Sequence, residues 1–274
     1  MSRIDCSFVL LTWNSESYLE NCLHSIFTAL NSTNIKYEIF IVDNGSQDNT
    51  VNILKRLKGE YPSIINPIFL QYNTGTTYSR NLALKQISGR YICIMDSDVD
   101  IFPGVLEKLI HHLENRSDVG LCVPRIIYPS GKLQKSTDVF PNLMRKVQRY
   151  FFLKNIESKE AAEKNAQHIT EVDYAISAMW VFKRSLIDQI GLLDEKIFYA
   201  PEDADYCLRI WKAGYKILYD SHVTIVHHTQ EISRGFKFNK AFFYHIKGLI
   251  YYFIKHHYLI VSPDFKKVLK KDKP

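Results

Sequence analysis

Four short apolar runs in the first hundred residues constrain the fold most. Cys6–Thr12 (CSFVLLT), Tyr37–Val42 (YEIFIV), Pro67–Leu70 and Tyr91–Met95 (YICIM) have the length of buried strands. Between them lie segments whose apolar residues recur at helical spacing. Glu16–Leu30 carries Tyr18, Leu19, Leu23, Ile26 and Phe27; Gln47–Lys58 carries Val51, Leu54 and Leu57; Thr76–Ile87 carries Leu82, Leu84 and Ile87. Ser15 is placed to cap the first of these helices, where its hydroxyl would accept an orphan N–H. Alternation of this kind predicts an α/β fold, a mostly parallel sheet with helices on both faces. Three of the runs stop in polar clusters: Thr12-Trp13-Asn14, Asp43-Asn44-Gly45-Ser46 and Asp96-Ser97-Asp98. Parallel strands end on one shared edge, so the three clusters should meet in a single cleft. The chain has no G-x-G-x-x-G and no G-x-x-x-x-G-K-[ST], which disfavours dinucleotide and P-loop sites.

The fourth run ends most abruptly, in Asp96, Asp98 and Asp100. Carboxylates crowded at the exit of a buried strand repel one another and resist desolvation. A hard divalent cation relieves both, since carboxylate oxygens are its preferred ligands. A solvated acidic turn is the bland alternative for so short a pattern. Asp43 could likewise cap the helix expected at Gln47 instead of meeting a ligand.

The second half changes character. Pro103–Asn115 reads as a helix, and Val119–Val123 and Arg125–Tyr128 as strands around Pro124, with a turn at Pro129-Ser130-Gly131. Asp138–Thr170 carries little pattern; its aromatic-basic segment Arg145–Lys154 has the character of a loop or lid. Asp173–Arg184 reads as a strand running into helix Ser185–Ile190. A further helix begins at Pro201 or Glu202, with Glu202 and Asp203 in its first turn. Acidic first turns also occur simply because the helix dipole favours them. Tyr215–Tyr219 and Val223–Val226 are expected strands, the second ending in His227-His228. Trp180 and Tyr199 could stack on a ligand or pack in a core.

Charge is distributed unevenly. Ten Lys/Arg and two Asp between Ile232 and Pro274 give that stretch +8, so the residues before it carry −2 of the net +6. The expected helix Phe236–His257 is aromatic and basic, and a Lys-rich, frayed tail (Asp264–Pro274) follows. Such segments fit an anionic membrane surface, or a helix packed on the body beside a solvated tail. No nucleic-acid-binding module is recognisable, so nucleic acid is not an expected partner. Five cysteines, odd in number and without a CxxC, argue for a reducing compartment and against structural zinc. Phe8–Leu11 is too short for a signal-peptide core, and no run of 18 apolar residues occurs. A cytoplasmic protein is expected, or one peripheral on the inner face of the cell membrane.

The ordered set Thr12-Trp13-Asn14, Asp43-Asn44-Gly45-Ser46, Asp96-Ser97-Asp98, Glu202-Asp203 and a late His227 resembles glycosyltransferase family 2, the inverting enzymes of GT-A fold. Within it, the chain is similar to bacterial rhamnosyltransferase-type members that build polysaccharides. The likeness covers about residues 4–230. It implies a GT-A domain over 1–230, with a nucleotide-binding half (1–100) and an acceptor-binding half (101–230), followed by a helix and basic tail (231–274). It implies Mn²⁺ or Mg²⁺, a UDP-, GDP- or dTDP-linked sugar donor, and a glycan or lipid-linked acceptor. Thr12, Trp13, Asn14 and Asp43 match positions that hold base and ribose, and Arg80 a basic residue near base or diphosphate. Asp96, Ser97 and Asp98 match the D-x-D, with Asp96 nearer the ribose and Asp98 on the metal. Asp203 matches the general base, Glu202 an orienting or acceptor-contacting residue, and His227 a metal ligand for which His228 competes. Two departures stand out: Thr74–Ser79 (TGTTYS) is bulkier than the glycine-rich version of many relatives, and Thr229–Ser233 lacks the small-residue run often seen after the late His. A sugar nucleotidyltransferase would need a glycine-rich basic loop where Thr12–Glu16 stands; a non-catalytic nucleotide-sugar binder would not need the joint presence of Asp96, Asp98, Asp203 and His227.

Overall fold

A computed structural model describes residues 4–144, 168–228 and 240–264. The expected lid segment Arg145–Lys154 and the Lys-rich tail beyond Asp264 lie outside the described residues.

Strands β1 (Cys6–Thr12), β2 (Tyr37–Asp43), β3 (Ile65–Phe69) and β4 (Tyr91–Asp96) pair in parallel in the order β3-β2-β1-β4. Helices α1 (Leu19–Leu30), α2 (Thr50–Glu60) and α3 (Thr76–Leu84) connect them. β1, β2 and β4 are mostly apolar and buried because both faces of the sheet are covered there, whereas β3 at the edge is only half-buried. Cys6, Phe8 and Leu10 of β1 join one core with α1, α2 and helix α4 (Val105–Asn115), while Val9 joins the other. Cys93 and Met95 of β4 repeat the first direction and Ile92 and Ile94 the second. The second core is built with α3, α5 (Ser185–Ile190), α6 (Glu202–Lys212) and Tyr252 of α7 (Lys240–His256).

The same sheet continues beyond residue 100. With β5 (Val99–Asp100), β6 (Val119–Ile127), β10 (Met179–Lys183) and β11 (Lys216–His227), its order is β3-β2-β1-β4-β10-β6-β11-β5, and β8 (Ile169–Glu171) also pairs with β11. Strand β10 (Met179–Lys183) runs antiparallel between β4 and β6 (Val119–Ile127), and β11 (Lys216–His227) is parallel to β6. A small two-stranded sheet joins β7 (Thr137–Asp138) to β9 (Tyr174–Ala175).

Several boundaries differ from the sequence expectation. The helix expected from Glu16 begins at Leu19, and Ser15 does not cap it with its side chain. Instead the Ser15 carbonyl accepts the N–H groups of Tyr18 and Leu19, and its hydroxyl accepts a bond from Ser97. The helix expected from Gln47 begins at Thr50, since residues 47–49 are held by β1-side loop residues: the Gln47 N–H donates to Asn14 and the Asn49 N–H to Glu16. Asp43 caps no helix; its Oδ2 accepts the Ser46 N–H at 3.2 Å. The two strands expected around Pro124 form one, as do the two expected over 215–226. The register between β6 and β11 jumps from Asp220↔Pro124 to Thr224↔Arg125, so a bulge in β11 faces the residue that has no N–H to pair. Strand β5 (Val99–Asp100) is new, too short for any periodicity to show.

Candidate active site

Register puts the polar clusters on one edge. Thr12 pairs with Asp43 across β1–β2, and Leu11 pairs with Asp96 across β1–β4. Asn14, in the left-handed region at φ 51, ties the two loops together: its N–H donates to Ser46 and its Oδ1 accepts from Gln47. Thr12 Oγ1 and Asp43 Oδ1 are buried without a hydrogen-bond partner. A buried polar atom left unpaired costs about 1–3 kcal/mol, so two neighbouring ones are suited to a polar ligand.

Beside them opens a cleft of about 540 Å³, lined among others by Trp13, Arg80, Asp96, Asp98, Glu202 and His227. The Asp96-Ser97-Asp98 turn feeds β5, which runs antiparallel to the end of β11 with His227 opposite Val99. That pairing carries the imidazole to the carboxylates. His227 Nε2 stands 3.2 Å from Asp98 Oδ1 and 3.9 Å from Asp96 Oδ2. Its Nδ1 is 3.0 Å from Gln134 Oε1, which orients the ring with Nε2 turned to the carboxylates. His228 is placed elsewhere, with Nε2 2.7 Å from Asp100 Oδ2. Asp96, Asp98 and His227 offer ligand atoms all within 4.8 Å of one another. Two carboxylate oxygens and an imidazole nitrogen fit a divalent cation of the Mg²⁺/Mn²⁺ type. Burial, with the nearby Asp98 charge adding to it, raises the Asp96 pKa although Arg80 opposes this. Burial works to lower the pKa of His227, but the bond and charge of Asp98 outweigh it and the net shift is upward. Both shifts are those of a site short of positive charge.

Arg80 sits under this cluster, only 2% exposed. Its Nη2 donates to Asp96 Oδ1 at 2.6 Å and its Nη1 to Ser177 Oγ at 2.8 Å; Ser177 in turn donates to Glu202 Oε1 at 3.3 Å. The guanidinium thus spans from the strand end to the first turn of α6 and lines the cleft between them. Burial and the adjacent Asp203 push Glu202 up to about 8, against the pull of Arg80. Asp203 also lines the cleft, and its Oδ1 accepts the N–H of Ala204. Ser97 bonds to Ser15 at the cleft floor, and Trp13 stands partly exposed at its wall. Trp180 is fully buried, stacked with Tyr206, which makes it core; Tyr199 lines the cleft. The sequence pattern gave no sign of Gln134 or Ser177. Each lies in a short irregular segment and acts through one hydrogen bond, which leaves no spacing to detect.

The sequence matches the model of glycosyl transferase family 2 over residues 7–191. The chain belongs to that family. It is 25% identical over 235 residues to the N-acetylglucosaminyl-diphospho-decaprenol L-rhamnosyltransferase of Mycobacterium tuberculosis, covering 80% of this chain and 75% of that one. A Bacillus subtilis (strain 168) protein with the provisional name teichuronic acid biosynthesis glycosyltransferase TuaG is 32% identical over 111 residues, 40% of this chain. The match spans 42% of that relative's own length. Among solved structures, GalNAc-T7 with UDP, GalNAc and Mn²⁺ superposes with TM-score 0.61 at 13% identity, over 82% of this chain and 44% of the other. Staphylococcus aureus TarS 1-349 in complex with UDP gives 0.55 at 18% identity, over 81% and 60%. The architecture is therefore the GT-A fold. Among the described residues no helix is long and apolar enough to cross a membrane.

Proposed function

We propose that this chain is a metal-dependent inverting glycosyltransferase that moves a sugar from a nucleotide-diphosphate donor to a hydroxyl of a glycan or lipid-linked acceptor in cell-surface polysaccharide synthesis. One observation carries the proposal: a single cleft is lined by Asp96, Asp98 and His227 from the sheet edge and by Glu202 and Asp203 from α6. The donor half is assigned to residues 1–100. Thr12 and Asp43, with their orphaned oxygens, would take polar groups of the nucleoside, beside Trp13 and Asn14. Asp98 and His227, with the Asp96 oxygen that Arg80 leaves available, would hold the cation, which when bound neutralises charge developing on the leaving diphosphate. Gln134 orients His227 for that task.

Asp203 is assigned as general base for the acceptor hydroxyl. A single base suffices because one direct attack from the face opposite the leaving group inverts the anomeric carbon. Burial and the Asp203 charge raise the Glu202 pKa to about 8, which favours its protonated form at neutral pH. A protonated carboxyl cannot accept a proton, which makes Asp203 the better candidate of the two for the base. The buried, unpaired cysteines fit the reducing cytoplasm, where nucleotide sugars would be at hand. Nucleotide-diphosphate release from a panel of UDP-, GDP- and dTDP-sugars, with Mn²⁺ and with a chelator, tests the proposal. Metal-dependent release from one donor class is expected; no release from any donor under either condition contradicts it.

A further inference from the structure

Helix α7 has two faces of opposite character. The inner face carries Tyr251, Tyr252, Lys255 and His256. Lys255 Nζ is 2.6 Å from both Asp194 and Asp205, and His256 Nε2 is 2.8 Å from Asp205, which is 1% exposed. A Cβ on Gly248 would collide with the Ala200 carbonyl oxygen, so the helix lies directly on the chain that leads into α6. Charged anchors and close backbone contact hold α7 in one orientation. The opposite face, at positions i, i+3, i+7 and i+11, carries Phe243, Ile246, Ile250 and Ile254, which are 62%, 40%, 56% and 67% exposed. The exposed apolar strip continues through Leu259, Ile260 and Val261. Leu143 joins it, its N–H bonded to the Leu259 carbonyl, with Met144 exposed beside it. A strip this long differs from the scattered apolar residues of an ordinary surface.

We propose that this strip seats the protein on an anionic lipid surface and that the acceptor reaches the cleft from that surface. Charge complementarity selects this occupant. Lys240–Pro263 contains no Asp or Glu; Lys247 is exposed beside the strip, and the sequence that follows adds Lys266, Lys267, Lys270, Lys271 and Lys273 against Asp264 and Asp272. An apolar stripe flanked by lysines inserts shallowly among acyl chains while its cations meet phosphates. The same helix forms part of the cleft: His245 lines it, and Tyr244 stacks on Phe198 at 4.1 Å beside Tyr199 and Ala200 of the cleft wall. Seated this way, the α6 side of the cleft, where Asp203 stands, lies next to the lipid. The acceptor class that fits is a glycan carried on a membrane lipid. The seating itself stands on α7 alone; only the acceptor clause rests on the sugar-transfer proposal.

The test is co-sedimentation of the full chain with vesicles of phosphatidylcholine plus phosphatidylglycerol, and with vesicles of phosphatidylcholine alone. Partition to the mixed vesicles is expected, weakened by salt, with little partition to the neutral ones. The double variant Ile250→Glu/Ile254→Glu should partition at least about tenfold less, since losing the burial of two isoleucines exceeds one decade in affinity. Its melting temperature and its nucleotide release in vesicle-free solution should match the parent's. Equal partition of parent and double variant overturns the proposal, as does equal binding to neutral vesicles. A self-association in sedimentation velocity that the double variant abolishes, without vesicle binding by the parent, would give the strip to a second copy of the chain. Vesicle binding needs no donor and donor turnover needs no vesicles, so failure of one is separable from failure of the other.

Discussion

Arg80→Met removes the buried guanidinium beneath the Asp96–Asp98–His227 cluster. The guanidinium is 2% exposed, its Nη2 sits 2.6 Å from Asp96, and its Nη1 holds Ser177. Breaking a buried pair from one side costs about 3–5 kcal/mol, because the partner stays buried and unpaired. The Asp96 side chain keeps 33% of its surface open to the cleft, so water softens its loss and the lower end, about 3 kcal/mol, is expected. Urea unfolding followed by the fluorescence of buried Trp180 and Trp211 measures this without donor or metal. Asp96→Asn in the Arg80→Met background should restore part of the loss, so that the double variant falls about 2 kcal/mol short of the summed single costs. Donor turnover should stay low in the double variant, because stability would be repaired and the ligand set would not. A loss under about 1 kcal/mol, the range of an exposed ion pair, or strict additivity in the cycle would refute the role of Arg80 as buried counter-charge.

Further outcomes follow from the same geometry. Gln134→Ala should weaken Mn²⁺ binding by about 10–100-fold, and His227→Ala should weaken it more; His228→Ala, which removes the partner of Asp100 and a ring contact with Tyr18, should leave it near the parent value in calorimetric titration. The raised pKa of Glu202 makes the folded state hold a proton that the unfolded state has already lost. Its contribution is complete below the unfolded carboxylate range and falls away as pH rises towards about 8, so Glu202→Gln should lessen the loss of stability between pH 5 and pH 8 in unfolding titrations. Asp205→Asn strips a buried carboxylate from Lys255, His256 and Arg209, and should raise hydrogen exchange along α7 while β1 and β4 stay protected.

Much of this was legible in the chain because strand burial on both faces leaves continuous apolar runs, and parallel pairing forces their polar ends together. Thr12, Asp43 and Asp96 could be placed on one edge for that reason. His227 was harder to place. Its position depends on β5, two residues long, whose pairing with β11 separates His227 from His228 by directing one to Asp98 and the other to Asp100. Ser15 misled because a serine before an apolar stripe looks like a cap whether its hydroxyl serves the helix or, as here, accepts from Ser97. Nothing in the spacing of Ser177 or Gln134 ties them to Arg80 or His227, since each contact closes across tens of residues. For α7 the aromatic and basic character was visible, but which side faces inward is set by Asp194 and Asp205, far away in sequence.

The general base is the point on which the account turns, and Asp203→Asn tests it most directly. Sugar transfer would be measured for parent and variant with the donor that the panel selects, in Mn²⁺, beside nucleotide binding by thermal shift. Transfer should fall by about 10²–10⁴-fold while the nucleotide-induced shift stays at the parent value. Transfer by the variant at the parent rate, or loss of nucleotide binding in step with loss of transfer, would contradict the assignment of Asp203 and with it the proposed mechanism.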